Sequence, residues 1–341
     1  MRVAIIGSGV VGATAAFYLN KNNIEVDLYD DNHLGGTKAA VGIICPWVSQ
    51  RRNMTWYTLV EEGAKFYQQL VQDLNLDSFI TRNGAIIINE QNHDKLLKLA
   101  IKRSQNNPIM GEVKEITKTN KLPDEFKFNK AIEIPGAFRV DGKSLVEALT
   151  QNIHTIPKTV TLLKLQEKGK YDAIIIATGA RIPETLEGLD YTYDLSPQKG
   201  TLLEVDYPSN NFAIAMPKGE IDLLFKEDQL VIGATHINKF QSTNFDESEA
   251  NYLIKEAQKH IHLPSSKYQY RIGLRSQNSK HQPFYGLLHP YNNVYIAGGL
   301  GSSGLTSGPI IGYRIAQHLL SKKPFNQAYS PNAFIKPPSI L

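Results

Sequence analysis

Cysteine is nearly absent from this chain of 341 residues. Cys45 stands alone, which excludes an internal disulfide, a cysteine-rich metal centre and a redox cysteine pair. That usage fits a reducing, cytoplasmic setting. Long hydrophobic runs are also missing: nothing approaches the roughly 18 uninterrupted apolar residues of a membrane-crossing helix. The first apolar stretch lacks the small-residue cleavage site of a signal peptide. Charge of one sign is not in large excess, since 37 Lys and Arg against 33 Asp and Glu leave a net +4. Basic pairs such as Arg51-Arg52 and Lys322-Lys323 read as solvated surface, not as a nucleic-acid face. There is no repeat and no low-complexity segment. Apolar residues make up 42% of the chain, enough for a large core or two lobes.

What is present begins at once. Val3-Ala4-Ile5-Ile6 is an apolar run suited to a buried parallel strand. Gly7-Ser8-Gly9-Val10-Val11-Gly12 fits G-x-G-x-x-G, and apolar residues then recur at helical spacing up to Asn22-Asn23. A second strand, 25–29, ends at Asp30, with Asp31 beside it. Each part has a physical task. Gly7 allows the tight turn, Gly9 lets a pyrophosphate approach the backbone, and Gly12 lets helix and strand pack closely. The helix N-terminus offers N–H groups and a positive dipole end to phosphates. An acid at the tip of the second strand accepts hydrogen bonds from a ribose. The spacing of all parts together predicts a dinucleotide site, without choosing FAD over NAD.

The remaining pattern predicts helices at 55–74, 94–103, 143–152, 247–261 and 309–320. Buried strands are expected at 84–89, 171–180 and 293–299. The segment 112–130 reads as polar and irregular. Short strands at 201–206, 212–216, 221–225 and 230–234 suggest an antiparallel sheet. Parallel-type βα units therefore sit at both ends and in the middle, with antiparallel strands between them. This predicts an α/β fold: a Rossmann-type nucleotide lobe interleaved with a mixed or antiparallel substrate lobe. The expected division gives 1–78, 138–195 and 270–324 to the nucleotide lobe. It gives 79–137 and 196–269 to the substrate lobe, and 325–341 to a C-terminal tail.

Five segments, in order, resemble the D-amino-acid oxidase and glycine oxidase family of FAD-dependent amine oxidoreductases. They are the N-terminal fingerprint ending at Asp30, Thr37-Lys38-Ala39-Ala40-Val41-Gly42-Ile43, Ala177-Thr178-Gly179, Ile272-Gly273-Leu274-Arg275, and Gly298-Gly299-Leu300-Gly301-Ser302-Ser303-Gly304-Leu305-Thr306. The resemblance implies a glycine oxidase-like fold with non-covalent FAD in an extended pose. Val10 and Val11 would then face the pyrophosphate and Asp30 the adenosine ribose. Gly36, Thr37 and Lys38 would lie along phosphate and ribityl, while Val41, Gly42 and Ile43 approach the isoalloxazine. N–H groups of 300–306, at the start of the last helix, would face the flavin pyrimidine and stabilise negative charge there. Arg275 matches the family arginine that binds the substrate carboxylate, for which a guanidinium offers a bidentate partner.

That resemblance implies oxidation of the C–N bond of an amino acid or amine by hydride transfer to flavin, giving an imine that hydrolyses to a keto acid and ammonia. Orientation by the protein is sufficient in this reading, and no catalytic acid or base is assigned. Molecular oxygen or another acceptor would reoxidise the flavin. Glycine, a D-amino acid and an N-methyl amino acid all remain open, as does oligomeric state. His236 and His281 read as surface or local hydrogen-bond partners, Tyr285 as core, and Cys45 as a small buried hydrophobe.

The chain also departs from the family. Lys280 stands where an acid is common, and Ser276 where proline is usual. Phe212, Ile214 and Met216 occupy expected polar contact positions before Pro217, which predicts a pocket for an apolar side chain or a substrate unlike glycine. The segment between Asn152 and Tyr171 is short. Alternatives are a flavin-binding protein without catalysis, and a flavin hydroxylase or disulfide reductase sharing the N-terminal fingerprint. The second group usually carries Gly-Asp in the last flavin segment, where this chain has Gly298-Gly299. An NAD-dependent dehydrogenase would leave the glycines of 36–42 and of the C-terminal segment without a purpose.

Overall fold

In the computed structural model, which describes residues 1–51, 53–208, 213–217, 221–226, 228–264 and 267–337, the opening apolar run is the strand Arg2–Ile6. It pairs in parallel with Glu25–Tyr29 on one side and Ala173–Ile176 on the other. Among the described residues they form a six-stranded sheet in the order Phe284–Leu287, Val294–Gly298, Ala173–Ile176, Arg2–Ile6, Glu25–Tyr29, His154–Ile156. Only the edge strand Phe284–Leu287 runs antiparallel to its neighbour. Both faces of the central strands are covered, which is why Val3 to Ile6 and Ala173 to Ile176 carry no polar alternation.

The second sheet has eight described strands, in the order Tyr268–Gln277, Ser196–Asp206, Gln229–Gly233, Asp222–Lys226, Ala213–Pro217, Ala85–Ile88, Ala131–Ile134, Lys114–Ile116. Its pairs are antiparallel except for Ala213–Pro217 with Ala85–Ile88. Side chains alternate with period two. Leu202, Ile214, Leu224 and Val231 join the core shared with the first sheet. Leu203, Ala215, Leu223, Phe225 and Ile232 turn the other way, against Ala250, Leu253 and Ala257 of the helix Glu247–Gln258. The two sheets draw their strands from interleaved stretches of the chain, as the sequence pattern predicts.

Several boundaries differ from the sequence reading. The last helix is Gly304–Ser321, five residues longer at its start than 309–320, with Pro309 inside it. Proline cannot donate to the Leu305 carbonyl one turn back; the buried Tyr67 hydroxyl donates to it instead, at 2.7 Å. The irregular segment 112–130 contains the strand Lys114–Ile116. The short stretch after Asn152 holds the edge strand His154–Ile156 and the helix Leu162–Glu167. The strand expected from 201 begins at Ser196, and the expected division at 270 falls within Tyr268–Gln277, which pairs with Ser196–Asp206 along its whole length. Phe212, expected to open a strand and to line the pocket, lies outside the described residues.

A buried ion pair fastens the helix Glu247–Gln258 to the second sheet. Lys199 Nζ lies 2.7 Å from Glu249 Oε1, and both side chains are nearly inaccessible. Thr201 also donates its hydroxyl to Glu249, while Lys199 Nζ donates to the Asn244 carbonyl at 2.6 Å. Removing one partner strands the other charge in the interior. Glu249→Ala is therefore expected to destabilise the fold by about 3–5 kcal/mol, measured by urea unfolding; a loss no larger than that of an exposed ion pair would contradict the argument.

Candidate functional site

The glycine turn places two backbone segments against each other. Gly7 has φ +99°, and a Cβ there would lie 2.6 Å from the Ala177 carbonyl oxygen. A Cβ on Gly12 would lie 1.9 Å from the Gly7 oxygen. Gly12 thus packs beneath the turn and does not line the cleft. Gly9 caps the helix Val10–Lys21 without a side chain, and Val10 N–H donates to Thr37 Oγ1 at 3.1 Å. Beyond Thr37 Oγ1, nothing outside its chain neighbours stands within 4 Å of a Cβ on Gly9. The loop is tight below and open above.

A cleft of about 530 Å³ runs from this turn to the second sheet. Gly7, Gly9, Val10, Val11, Asp30, Asp31, Gly36, Thr37, Lys38, Val41, Gly42, Ile43 and Gly179 border its first part. Leu300, Gly301, Ser302, Gly304, Leu305 and Thr306 border its second, with Arg275. Ser303 does not: its hydroxyl accepts from Trp56 Nε1 at 3.2 Å and donates to the Leu300 carbonyl. The helix Gly304–Ser321 also begins without a side-chain cap, so a second helix N-terminus opens on the same cleft.

The two acids at the second strand have different partners. Asp30 accepts from Ser8 N–H at 2.7 Å, from the Ser8 hydroxyl and from Asn32 N–H. Asp31 binds Arg181 Nη1 and Thr159 Oγ1, each at 2.6 Å. Partial burial opposes ionisation of Asp31, but hydrogen bonds from Thr159, Arg181 and His33 N–H, with the Arg181 charge, hold its carboxyl down at about 2. Asp31 is committed to an ion pair at the rim.

At the other end, the guanidinium of Arg275 lies over Gly200, where a Cβ would be 2.7 Å from Nη2. Nη1 donates to the Thr235 carbonyl at 2.9 Å and to Gln198 Oε1 at 3.2 Å. Nη2 and Nε donate to no described residue, and no described acid forms an ion pair with Arg275. The half-buried cation therefore keeps one edge free toward the cleft. His236 Nδ1 is 3.1 Å from Gln198 Oε1. Burial, then the charges of Arg275 and Arg51, lower its pKa to about 4, so its ring is neutral near pH 7. His281 sits exposed in a turn at φ 49°. Tyr285 is packed in the core with its ring stacked on Tyr329. Cys45 is buried, and burial pushes its thiol up to about 12.

The expected apolar pocket wall is corrected. Ile214 and Met216 pack in the core on the strand Ala213–Pro217 and do not border the cleft. The pocket strand is the next one, Asp222–Lys226, and it contributes the half-buried Asp222. Burial pushes the Asp222 carboxyl up to about 7, against the opposing charge of Arg275. Sequence reasoning missed this residue. The available clue was a lone carboxylate in Ile221-Asp222-Leu223-Leu224-Phe225, an otherwise apolar strand.

Comparison with known proteins agrees with this geometry. A family model described as FAD dependent oxidoreductase matches residues 2–318. The chain belongs to that family. It is 30% identical to the uncharacterized oxidoreductase YurR of Bacillus subtilis, across 94% of this chain and 95% of the relative. Its fold matches an iminodiacetate oxidase from Chelativorans sp. BNC1 with TM-score 0.87 and 25% identity, covering 97% and 99% of the two chains. A glycine oxidase from Geobacillus kaustophilus shares the fold with TM-score 0.80 and 20% identity, covering 96% and 98%. The family binds FAD, and the cleft fits it: an open glycine loop, two uncapped helix N-termini and an acid at the strand tip meet along one groove. Among the described residues no helix is long and apolar enough to cross a membrane.

The raised Asp222 pKa has a consequence for stability. An unfolded aspartate ionises near about 3.9, whereas the folded one stays protonated up to about 7. The stabilisation tied to this proton is complete at low pH and is lost as pH rises through that window. Asp222→Asn removes the dependence. The melting temperature of the variant is expected to gain on wild type between pH 4 and pH 8; a constant difference would contradict the raised pKa.

Proposed function

We propose that this chain is an FAD-dependent amino-acid oxidoreductase that oxidises a C–N bond of glycine, a D-amino acid or an N-substituted amino acid. The product is an imine that hydrolyses to a keto acid and ammonia or an amine. One observation carries the reading: among the described residues, Arg275 offers a free Nη2 and Nε edge in the cleft with no acid paired to it. A half-buried guanidinium of this kind favours an anionic ligand, and a carboxylate matches its planar fork. The likeness to an iminodiacetate oxidase supports an N-substituted amino acid within this class.

FAD bound in the cleft supplies the hydride acceptor. Gly9, Val10 and Thr37 would hold its phosphates, Asp30 its ribose, and the start of Gly304–Ser321 its pyrimidine edge. Cys45 is buried and protonated near pH 7, which disfavours a cysteinyl bond to the flavin. Arg275 then fixes the substrate by its carboxylate, so that the α-carbon is presented in one orientation. Thr235 and Gln198 hold the guanidinium in place by bonding Nη1.

Arg275→Ala is expected to keep its FAD while kcat/KM for a carboxylate substrate falls by about 100-fold or more. Steady-state kinetics on the yellow variant checks this. An unchanged KM for an amino acid would sink the assignment.

A further inference from the structure

We infer that Asp222 takes the proton from the substrate's ammonium group, so that the site accepts its amino acid as a zwitterion with Arg275 on the carboxylate and Asp222 on the nitrogen. The inference rests on the reading above and adds a second recognition element to it.

The two side chains share one face of the second sheet. Asp222 pairs with Gly233, Gly233 with Leu202, and Gln198, on the face of Leu202, with Arg275. Period-two alternation then directs Asp222, Gly233, Gly200 and Arg275 to the same side, which is the side of the cleft. Gly233, between Asp222 and Leu202, is packed too closely for a side chain, since a Cβ there would lie 2.6 Å from Leu202 and 3.4 Å from Val41. The Asp222 carboxyl forms no hydrogen bond and no ion pair with any described residue. A half-buried carboxyl without a donor is costly, and one held in a cleft marks a place for a ligand. The groups that face it are few. Arg275 comes from Tyr268–Gln277 and Cys45 from the segment before Pro46, while His236, after Gln229–Gly233, borders the same cleft and feels the charge of Arg51. Near neutral pH Cys45 is protonated and His236 is uncharged. The cleft wall thus presents a permanent cation and an acid that titrates at about 7.

The chemistry calls for such an acid. A free amino acid carries a protonated nitrogen, which has no lone pair with which to expel hydride. One N–H bond must break first. Asp222 carboxylate gains that proton, an O–H bond forms, and cation and anion become a neutral amine and a neutral acid. The α-hydrogen then leaves with its electron pair to the bound FAD, and the nitrogen lone pair closes the C=N bond. The Asp222 proton passes to water when the imine leaves. An acceptor whose own pKa is raised exchanges this proton with a smaller mismatch than an ordinary aspartate.

The test uses the FAD-loaded protein and pairs that differ only in the ammonium: sarcosine against methoxyacetate, and iminodiacetate against oxydiacetate. Ether affinity is read from perturbation of the flavin spectrum. Amine affinity and reduction rate are read from anaerobic stopped-flow. Asp222→Asn is expected to weaken amine binding by at least about 10-fold and to slow flavin reduction by about 10²–10⁴-fold, while ether binding changes by less than about threefold. Wild-type reduction, as rate over dissociation constant, should fall as pH drops below about 7, a limb absent from Asp222→Asn and restored in Asp222→Glu. FAD content and melting temperature establish that each variant is folded. Wild-type rates and pH profile in Asp222→Asn would overturn the inference. So would an equal loss of amine and ether binding, which is the mark of a merely structural role. Failure of every amine to reduce the wild-type flavin would overturn the functional reading itself, before any variant is compared.

Discussion

Backbone contact between helices is the constraint on which the rest depends. A Cβ on Gly312 would stand 2.4 Å from the Val11 carbonyl oxygen, and one on Gly63 would stand 2.1 Å from that of Thr306. The helices Val10–Lys21, Met54–Leu74 and Gly304–Ser321 therefore approach closer than ordinary side chains permit. This closeness brings two helix N-termini to one groove, so two positive dipole ends serve the same ligand. Neither N-cap residue, Gly9 or Ser303, caps its helix with its own side chain, and of the first N–H groups Val10 N–H is held by Thr37 Oγ1. Tyr67 completes the arrangement by satisfying the carbonyl that Pro309 leaves open.

Charges away from the substrate end of the groove are mostly spent on structure. Asp31 is bound to Arg181, and Glu249 to Lys199. In the groove the second sheet presents Arg275 with a free edge and Asp222 with no partner among the described residues. Burial weakens the basicity of His236 and the acidity of Asp222, in each case by disfavouring the charged form. The result is a wall that holds a fixed cation with a free edge, and on the same face a carboxyl that changes state near neutrality.

Much of this was legible in the sequence where function is carried by local geometry. The opening strand, glycine turn, helix and acid follow one another within thirty residues, so their meeting needed no knowledge of distant contacts. Arg275 was found through its Ile-Gly-Leu-Arg setting. Asp222 was not, because its role depends on sheet register: only the pairing of Asp222 with Gly233 shows that it shares a face with Arg275. The same ignorance of register put Ile214 and Met216 at the pocket, one strand too early. The start of the last helix was misplaced because Pro309 reads as a helix opener, and Tyr67, which makes it tolerable inside, is distant in sequence. Ser303 looked like its neighbours until Trp56 was seen to hold it away.

The central claim is that this groove binds FAD and passes it electrons from an amino acid. The most direct measurement is anaerobic bleaching of the purified protein at about 450 nm, titrated with glycine, sarcosine, iminodiacetate, D-amino acids and simple amines that lack a carboxylate. Bleaching by one class of amino acid, and not by the amines without a carboxylate, is the expected result. A yellow protein that dithionite reduces but no amino acid does would contradict the account, and so would a colourless protein that takes up no FAD.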